Sequence, residues 1–447
     1  QVHMQELGTL LIEHSDVLGG ESGVSVSDEL IVTWGIGNID DDPQFCEPGE
    51  GDYHLAESSP CVGTGQDGVN MGAFGIGCES PASFPVWHVS TTGSDESGDG
   101  SEENPFATIQ NSIDIASDMD TILVHRGIYN ELISFEGKTL YLTSELYKYP
   151  DSLIYIQETV MSGDGFGTSV ITFNGNEDSS AVLNGFSIIN GSAQYGGGIH
   201  CQSNPTLMNL NIFGNEATAG GGIYCTGSPT LLNLDIHDNH AQGGDDNVGD
   251  GGGGIYFEGS AAELINVRIT NNSTGFGGIY GGGGGIYLQA GSSPSITRSL
   301  IANNVGHGIF SIYGSSPNIS HSAILFNAGE AVFMEYGGNL DISSSIIWGN
   351  TSEYQLYTES ADASVISYSD VQGNWEGVGN IGVDPQFCDP GEANYLLAET
   401  SPCIGSGVDG SDMGAYGVGC TEPVSIAVDM IPSSFSLQQN YPNPFNP

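Results

Sequence analysis

Residues 296–304 read Ile-Thr-Arg-Ser-Leu-Ile-Ala-Asn-Asn, and the pattern returns at 319–327 as Ile-Ser-His-Ser-Ala-Ile-Leu-Phe-Asn and at 342–350 as Ile-Ser-Ser-Ser-Ile-Ile-Trp-Gly-Asn. Each copy has an apolar residue, a small residue three positions later, a branched apolar residue two positions after that, and a closing Asn. A repeat of this length indicates a solenoid. The alternation is that of a strand, and a unit so short must stack on its neighbours to bury its apolar side.

Seven such rungs can be read from the sequence, and an eighth, Leu183 to Gly191, lacks the Asn. The closing residues are Asn215, Asn239, Asn272, Asn304, Asn327, Asn350 and Asn374, with successive spacings of 24, 33, 32, 23, 23 and 24 residues. The branched residues three positions earlier are Ile212, Ile236, Ile269, Ile301, Ile324, Ile347 and Val371. A buried Asn can bond the backbone and the Asn of the next coil, so we predict a structural ladder rather than a ligand site. The fold class is therefore all-β, a right-handed parallel β-helix with the branched residues inward.

Glycine runs lead into a second row of triplets, Ile199-His200-Cys201, Ile223-Tyr224-Cys225, Ile255-Tyr256-Phe257 and Ile286-Tyr287-Leu288. In a strand, the outer two residues of each triplet point inward and the middle one outward. Tyr224, Tyr256 and Tyr287 are thus predicted to form an outward aromatic row that could stack on a glycan. Cys201 and Cys225 should meet inside, about 5 Å apart, either as a disulfide or as two stacked thiols.

The chain duplicates part of itself. Residues 42–79 align without gaps to 384–421, with 25 of 38 positions identical. We therefore predict three regions: 1–80 as the C-terminal end of one β-helix module, 81–420 as a complete module, and 421–447 as a linker with the start of another domain. A helix at 106–117 is predicted to cap the complete module, where strand edges would otherwise be open. The first coils are predicted to run through strands at 121–124, 139–143, 153–156 and 169–173.

Composition excludes some functions. The chain has 55 acidic and 5 basic residues, a net charge of −50. A nucleic-acid partner is excluded, because binding phosphates needs clustered Lys and Arg. No apolar run reaches the roughly 18–20 residues of a membrane span.

Several motifs resemble a known family. The segments 89–95 (Val-Ser-Thr-Thr-Gly-Ser-Asp), 104–110 (Asn-Pro-Phe-Ala-Thr-Ile-Gln) and 384–388 (Asp-Pro-Gln-Phe-Cys) resemble secreted bacterial pectate-lyase-like β-helix proteins. That resemblance implies the fold, whereas function varies widely on it. The segment 435–447 resembles the start of a type IX secretion sorting domain, which implies export across a bacterial outer membrane to the cell surface or exterior.

Metal and catalytic sites are weakly indicated. Two acidic loops, one with Asp95, Asp99 and Glu102 and one with Asp245, Asp246 and Asp250, could hold calcium or simply be solvated. No other cofactor is indicated. For lyase-like chemistry the candidate bases are Arg268 and Arg298, and Asp235 is one outward acid near Arg268 without a cluster of carboxylates beside it. For hydrolase-like chemistry Asp235, Asp238 and Asp245–Asp246 form only a weak set of carboxylates, so no residue is predicted to be catalytic.

The sequence therefore leaves catalysis open but disfavoured. It favours a non-catalytic extracellular structural protein that forms a rod or filament with copies of itself, by tandem or head-to-tail modules. The alternatives are a carbohydrate-binding or polysaccharide-degrading β-helix protein and a single-copy surface adhesin.

Overall fold

The computed structural model describes residues 8–17, 30–47, 52–72, 75–78, 85–149, 152–243, 251–275, 282–352, 354–359 and 364–423. The chain divides into two compact units, Gln1–Pro85 and Val86–Pro447. The division falls five residues after residue 80, where the sequence analysis ends the first module.

The larger unit is a parallel β-helix. Its coils contribute strands to three long parallel sheets, and each strand pairs with the strand one coil away. Sheet A consists of Val86–Val89, Thr121–Val124, Tyr141–Ser144, Val182–Asn184, Thr206–Met208, Thr230–Leu232, Glu263–Ile265, Ser295–Thr297, Asn318–Ser320, Asp341–Ser343 and Val365–Ser367. Sheet B consists of Gly127–Asn130, Thr159–Ser162, Ser187–Ile189, Asn211–Phe213, Asp235–His237, Arg268–Thr270, Leu300–Ala302, Ala323–Leu325, Ile346–Trp348 and Asp370–Val371.

The other two sheets of the β-helix have fewer strands. Sheet C consists of Ile133–Ser134, Ile171–Phe173, Ile199–Cys201, Ile223–Cys225, Ile255–Glu258, Gly283–Gln289, His307–Ser311, Val332–Met334 and Leu356–Thr358. Sheet D consists of Ser192–Tyr195, Glu216–Ala219, His240–Ala241 and Ser273–Thr274. The strands are short because each coil turns a corner every few residues. On each side of the solenoid, a strand is hydrogen-bonded to the strands of the adjacent coils.

The core lies between these sheets. All seven branched residues predicted to point inward are buried, from Ile212 to Val371, and neighbours in the row pair directly across sheet B. They belong to one continuous apolar cluster that runs the length of the solenoid. The predicted β-helix and its register are therefore confirmed.

A short helix, α1 (Ile109–Ile115), covers the first coil. The Thr108 hydroxyl caps it by accepting the backbone N–H of Asn111, and Ile109 and Ile113 are buried. It contacts Val86–Val89 and Thr121–Val124, the strands that begin sheet A. The helix was predicted at this place, although the helical residues are fewer than the predicted 106–117.

A second helix corrects the sequence interpretation. Residues 153–156 were expected to form a strand, but the chain forms α2 (Ile154–Glu158) there. The connection between Tyr141–Ser144 and Thr159–Ser162 has 14 residues, whereas the next coil crosses the same corner with the two residues 185 and 186. The longer connection cannot follow the tight corner, so it packs outside the coil as 3-10 helix Glu145–Tyr147 followed by α2.

A small module closes the C-terminal side of the described chain. Phe387–Asp389 pairs antiparallel with Asn394–Ala398, which pairs parallel with Val418–Cys420, and 3-10 helices Pro390–Glu392 and Val408–Gly410 lie in the connections. Its apolar side packs on the outward face of sheet B. We call residues 384–421 the C-terminal module.

The smaller unit repeats this ending. Gly8–Ile12 pairs parallel with Leu30–Trp34, and Phe45–Glu47, Asp52–Ala56 and Ile76–Cys78 form a sheet with the same pairing as the C-terminal module, with 3-10 helix Gln66–Gly68 between the last two strands. We call residues 42–79 the N-terminal module.

Candidate functional site

A groove crosses the outward face of sheet B. Its floor is formed by the strands Asn211–Phe213, Asp235–His237 and Arg268–Thr270 with the corner residues beside them. The helix α2 forms one wall, with Leu153 and Ile156, and Tyr416 of the C-terminal module lines the other side. The groove has a volume of about 290 Å³. The insertion that places α2 outside the coil therefore creates a cleft on what would otherwise be a flat sheet face.

An acid–base pair lies on the groove floor. Asp235 and Arg268 are direct partners on neighbouring strands, and the Arg268 Nε donates to Asp235 Oδ1 at 3.2 Å. The Arg268 side chain is 43% exposed and that of Asp235 is 38% exposed. Both groups therefore keep hydrogen-bonding capacity for a ligand, because one contact satisfies only part of a guanidinium and a carboxylate.

Aromatic and polar rings adjoin the pair. The His237 imidazole stacks on the Phe213 ring with centroids 5.0 Å apart, and its Nε2 lies 2.9 Å from Asn211 Oδ1. Its Nδ1 lies 2.7 Å from the Asp238 carboxylate, which holds the ring in place. Burial raises the pKa of the Tyr416 phenol, so Tyr416 enters the groove as a neutral hydroxyl.

A row of side-chain amides follows the corner between sheets A and B. Asn209 donates to Asn184 at 2.8 Å, Asn233 to Asn209 at 3.1 Å and Asn266 to Asn233 at 2.9 Å. Asn209, Asn233 and Asn266 have positive φ, the left-handed conformation that Asn tolerates better than most residues. Asn233 and Asn266 line the groove. Sequence reasoning missed this row, and the signal was present: an Asn two positions after the inward Leu of each of these three rungs.

The predicted Asn ladder is internal and separate from the groove. Six of its seven members are buried, and each side-chain amide from Asn215 to Asn327 donates to the carbonyl oxygen of the next Asn at 2.9–3.1 Å. Each also bonds the backbone carbonyl of a branched residue one coil away, as Asn304 does with Ile269 at 3.0 Å. The row therefore holds the corner of the solenoid together.

The predicted position of Asn374 in the ladder is wrong. It does not join the ladder; its backbone turns back on Val371 and adopts a positive φ. Asn380 instead donates to Ile366 O and accepts the Ser369 N–H. The last coil ends at Val371, so no strand follows that would bring residue 374 into register.

The tyrosine row is a second correction. Tyr224, Tyr256 and Tyr287 do point away from the core, yet all three are buried, at 6%, 3% and 0% exposure. They stack face to face at 5.0 and 4.7 Å and continue into Phe310 and Phe333. This second apolar cluster is covered, so its rings do not offer an open surface for a glycan.

For Cys201 and Cys225 the sequence left two possibilities, a disulfide or two stacked thiols. Cys201 and Cys225 stack on adjacent coils inside the core as reduced thiols, so the disulfide between them is not formed. Burial, together with the neighbouring Cys201 thiol, raises the pKa of the Cys225 thiol. The described disulfide joins Cys388 and Cys420, which lie in the C-terminal module.

The acidic loop of the first coil is also accounted for. Asp95 accepts the backbone N–H groups of Ala107 and Thr108 beside α1, at 2.8 and 3.1 Å, and Asp99 accepts the Ser101 N–H. Glu102 approaches Lys148 at 3.7 Å. Across the described ranges, no three His, Cys, Asp or Glu side chains are grouped so as to hold a metal ion. The structure therefore does not group Asp95, Asp99 and Glu102 as calcium ligands, because Asp95 and Asp99 accept backbone N–H groups instead.

The second acidic loop, with Asp245, Asp246 and Asp250, lies outside the described residues, and its calcium site stays a prediction. None of the helices in the described part of the chain is long and apolar enough to cross a membrane.

Comparison with known proteins agrees with this fold. A family model described as "right handed beta helix region" matches residues 199–375. No curated protein sequence matches the chain. The larger unit thus has the fold of a right-handed parallel β-helix.

Several solved structures follow a similar course of the chain at low sequence identity. They include a pectate lyase, Pel9A (14% identity, TM-score 0.47, covering 75% of this chain and 97% of that one). A pectin methylesterase variant in complex with a hexasaccharide has 14% identity and a TM-score of 0.35, covering 68% and 94%. A lacto-N-biosidase from Eubacterium ramulus has 12% identity and a TM-score of 0.33, covering 66% and 68%. Such distant similarities transfer no activity.

Proposed function

We propose that this protein binds a carbohydrate chain in the groove across sheet B. The observation that carries the proposal is the half-exposed Asp235–Arg268 pair on the floor of a groove that has apolar and aromatic walls. Binding sites for small polar ligands combine such apolar walls with a few convergent polar groups. The carboxylate accepts hydroxyl protons and the guanidinium donates to hydroxyl oxygens, a combination that suits vicinal hydroxyls of a sugar ring.

Polar groups that line the groove recur at the spacing of the coils. Amides at Asn233 and Asn266 follow one another at one strand spacing, about 4.8 Å. A sugar residue is of similar length, so neighbouring hydroxyl groups of one chain can reach neighbouring coils. Tyr416 and the Leu153–Ile156 wall can cover the less polar faces of the rings.

Charge favours a neutral glycan. The chain carries a net charge of −50, and Arg268 is the one basic residue among the described residues that line the groove. Asp235 already compensates it. A polyuronate would bring a further negative charge with every sugar, and the field of the protein would oppose its approach. We therefore propose neutral polysaccharide as the ligand class.

The test is isothermal titration with neutral oligosaccharides of hexoses and pentoses and with oligogalacturonate, followed by product analysis to detect cleavage. Arg268→Gln removes the guanidinium and should weaken binding about ten-fold or more, since a hydrogen bond to a charged group contributes about 1.5–3 kcal/mol. Arg298→Gln is the control, because Arg298 lies on the next coil, after the strand Ser295–Thr297, and is not among the residues that line the groove. Equal effects of the two substitutions, or binding of the uronate alone, would contradict the proposal.

Assembly of modules into a rod is a second candidate function. The observation that favours it is the recurrence of one module at both 42–79 and 384–421 within the chain. Electron microscopy of the native material would show extended particles if it holds and dispersed single units if it does not. Export to the cell exterior likewise stays a prediction, and detection of the protein in culture medium would test it.

A further inference from the structure

Along the solenoid axis, the outward face of sheet B is covered on both sides of the groove. On one side Ser187 is only 2% exposed, and its hydroxyl donates to the Ile156 carbonyl oxygen of α2 at 2.9 Å. On the other side Leu300 and Ile346 are each 1% exposed, because the C-terminal module packs on them. A ligand that lay along the solenoid axis would therefore meet α2 at one end and the C-terminal module at the other.

Three coils remain open between these two covers. Their outward residues are Asn211, Asp235 and Arg268, which occupy equivalent positions on neighbouring strands. The side chains of Asp235 and Arg268 are 38% and 43% exposed, in contrast to the covered residues on either side. Three coils span two strand spacings, about 10 Å, so the space along the axis accommodates about two sugar residues.

In the direction of the strands the groove is open at both ends. Asn233 and Asn266 are exposed at the corner between sheets A and B. At the corner that follows sheet B, the side chain of Asp238 is 61% exposed. The chain from Asn233 to Asp238 extends at most about 16 Å, at roughly 3.3 Å per residue, which is the length of about three sugar residues. A glycan that follows the strands therefore enters and leaves the groove without meeting a wall.

Side chains suited to a sugar chain follow one another along this direction. Exposed amides lie at the first corner, the Asp235–Arg268 pair lies in the middle, and the stacked rings of Phe213 and His237 lie towards the second corner. Thr270 is buried, so the path at that end passes over Phe213 and His237. The His237 side chain is 23% exposed and is thus accessible from the groove.

We propose that the groove holds an internal stretch of about three sugars of a linear neutral glycan, which lies along the strands and crosses the solenoid axis. Each ring then lies over neighbouring coils, so hydroxyl groups on its two edges reach Asp235 on one coil and Arg268 on the next. Both ends of the bound stretch continue into solvent, so the site takes the interior of a polysaccharide. This inference rests on the proposed function, which supplies the ligand class and leaves the direction of the chain open.

The first test is isothermal titration of the full chain with linear β-1,4-linked oligosaccharides of glucose, mannose and xylose, from mono- to hexasaccharide. Affinity should rise up to about the trisaccharide and change by less than about two-fold beyond it. A hexasaccharide that carries bulky blocking groups at both ends should bind within about two-fold of the unblocked one.

The outcomes separate the direction of the chain from sugar binding itself. An affinity that stops rising at the disaccharide, or loss of binding when both ends are blocked, would overturn the crosswise direction and leave the proposed function standing. Absence of binding by every neutral oligosaccharide would overturn the proposed function, and this inference with it.

The second test removes one polar side chain at each end of the path. Asn266→Gly and Asp238→Gly are suitable because both residues have positive φ, which glycine adopts without strain. Each should weaken binding of the hexasaccharide about five-fold, the effect of roughly one hydrogen bond. Each should leave binding of the disaccharide unchanged, because the disaccharide needs only the Asp235–Arg268 pair.

Asn190→Gly is the matched control for Asp238→Gly. Asn190 is exposed, has positive φ and occupies the same corner position, but it follows the strand Ser187–Ile189, which α2 covers. It should leave hexasaccharide binding unchanged. A loss of affinity with Asn266→Gly but not with Asp238→Gly, or an equal loss with Asn190→Gly, would overturn the proposal.

Discussion

Replacing Asn304 by Ala should destabilise the β-helix severely, because Asn304 lies in the middle of the buried Asn ladder. Its Nδ2 donates to Ile269 O at 3.0 Å and to Asn327 Oδ1 at 2.9 Å. Its Oδ1 accepts both the backbone N–H and the side-chain amide of Asn272, at 2.9 and 3.1 Å. Truncation removes all four bonds at a site that water does not reach.

The magnitude follows from the groups left behind. The Ile269 carbonyl and the Asn272 N–H each lose a partner in the interior, at about 1–3 kcal/mol for each unsatisfied group. We therefore expect the free energy of unfolding to fall by about 2–5 kcal/mol, measured by urea denaturation followed by circular dichroism. Asn304→Leu restores volume without the bonds and should lose a similar amount, which separates hydrogen bonding from cavity formation.

The matched control is Asn318→Ala, an exposed Asn on a neighbouring coil. It should change stability by no more than about 0.5 kcal/mol, as surface substitutions usually do. If Asn304→Ala costs no more than Asn318→Ala, the ladder does not stabilise the solenoid and the reasoning fails. If Asn304→Leu is as stable as the wild type, the side chain at residue 304 stabilises this corner of the solenoid by packing and not by hydrogen bonding.

Three further predictions concern the core and the C-terminal module. Ile301→Ala should cost about 2–5 kcal/mol in denaturation experiments, because it leaves a cavity between packed rungs, whereas Ile154→Ala on the exposed side of α2 should cost far less. The double substitution Cys388→Ala and Cys420→Ala should lower the unfolding free energy by about 3–4 kcal/mol, the loop-closure value for a separation of 32 residues, and an unchanged melting temperature would contradict this. Burial raises the pKa of Asp370 to about 6 from the usual 3.8, so its protonated form stabilises the fold below pH 4 and this stabilisation is lost as pH rises through 6. Asp370→Asn should remove that part of the pH dependence, and identical pH profiles of variant and wild type would refute it.

The solenoid was predictable from the sequence because its cause is local and repeated. An inward branched residue and a corner Asn recur at one-coil spacing, and each repetition constrains the same register. The two longer spacings, of 33 and 32 residues, did not disturb this reasoning, because Ile236, Ile269 and Ile301 still pair in sequence across sheet B. Where the repeat stops, the prediction stops too, as Asn374 shows.

Burial of outward residues was not predictable in the same way. Strand alternation assigns Tyr256 to the outside of the coil, and it does lie there. Alternation says nothing about what covers the outside, and stacking on Tyr224 and Tyr287 already removes both faces of the ring from solvent. An outward aromatic row on a solenoid is therefore as consistent with a second apolar cluster as with an open binding platform.

The groove is the feature that could be predicted least well from the sequence. Asp235 and Arg268 were recognisable as neighbours because they occupy equivalent positions in successive rungs. In the structure, Arg268 Nε lies 3.2 Å from Asp235 Oδ1. Their environment comes from α2 and from Tyr416, which lie far from them in sequence and have no place in the repeat. A periodic pattern predicts what each coil presents to the coil above it. The walls of a site on the outside of the solenoid come from insertions that break the pattern, so it is at those insertions that binding function should be sought in a β-helix of this kind.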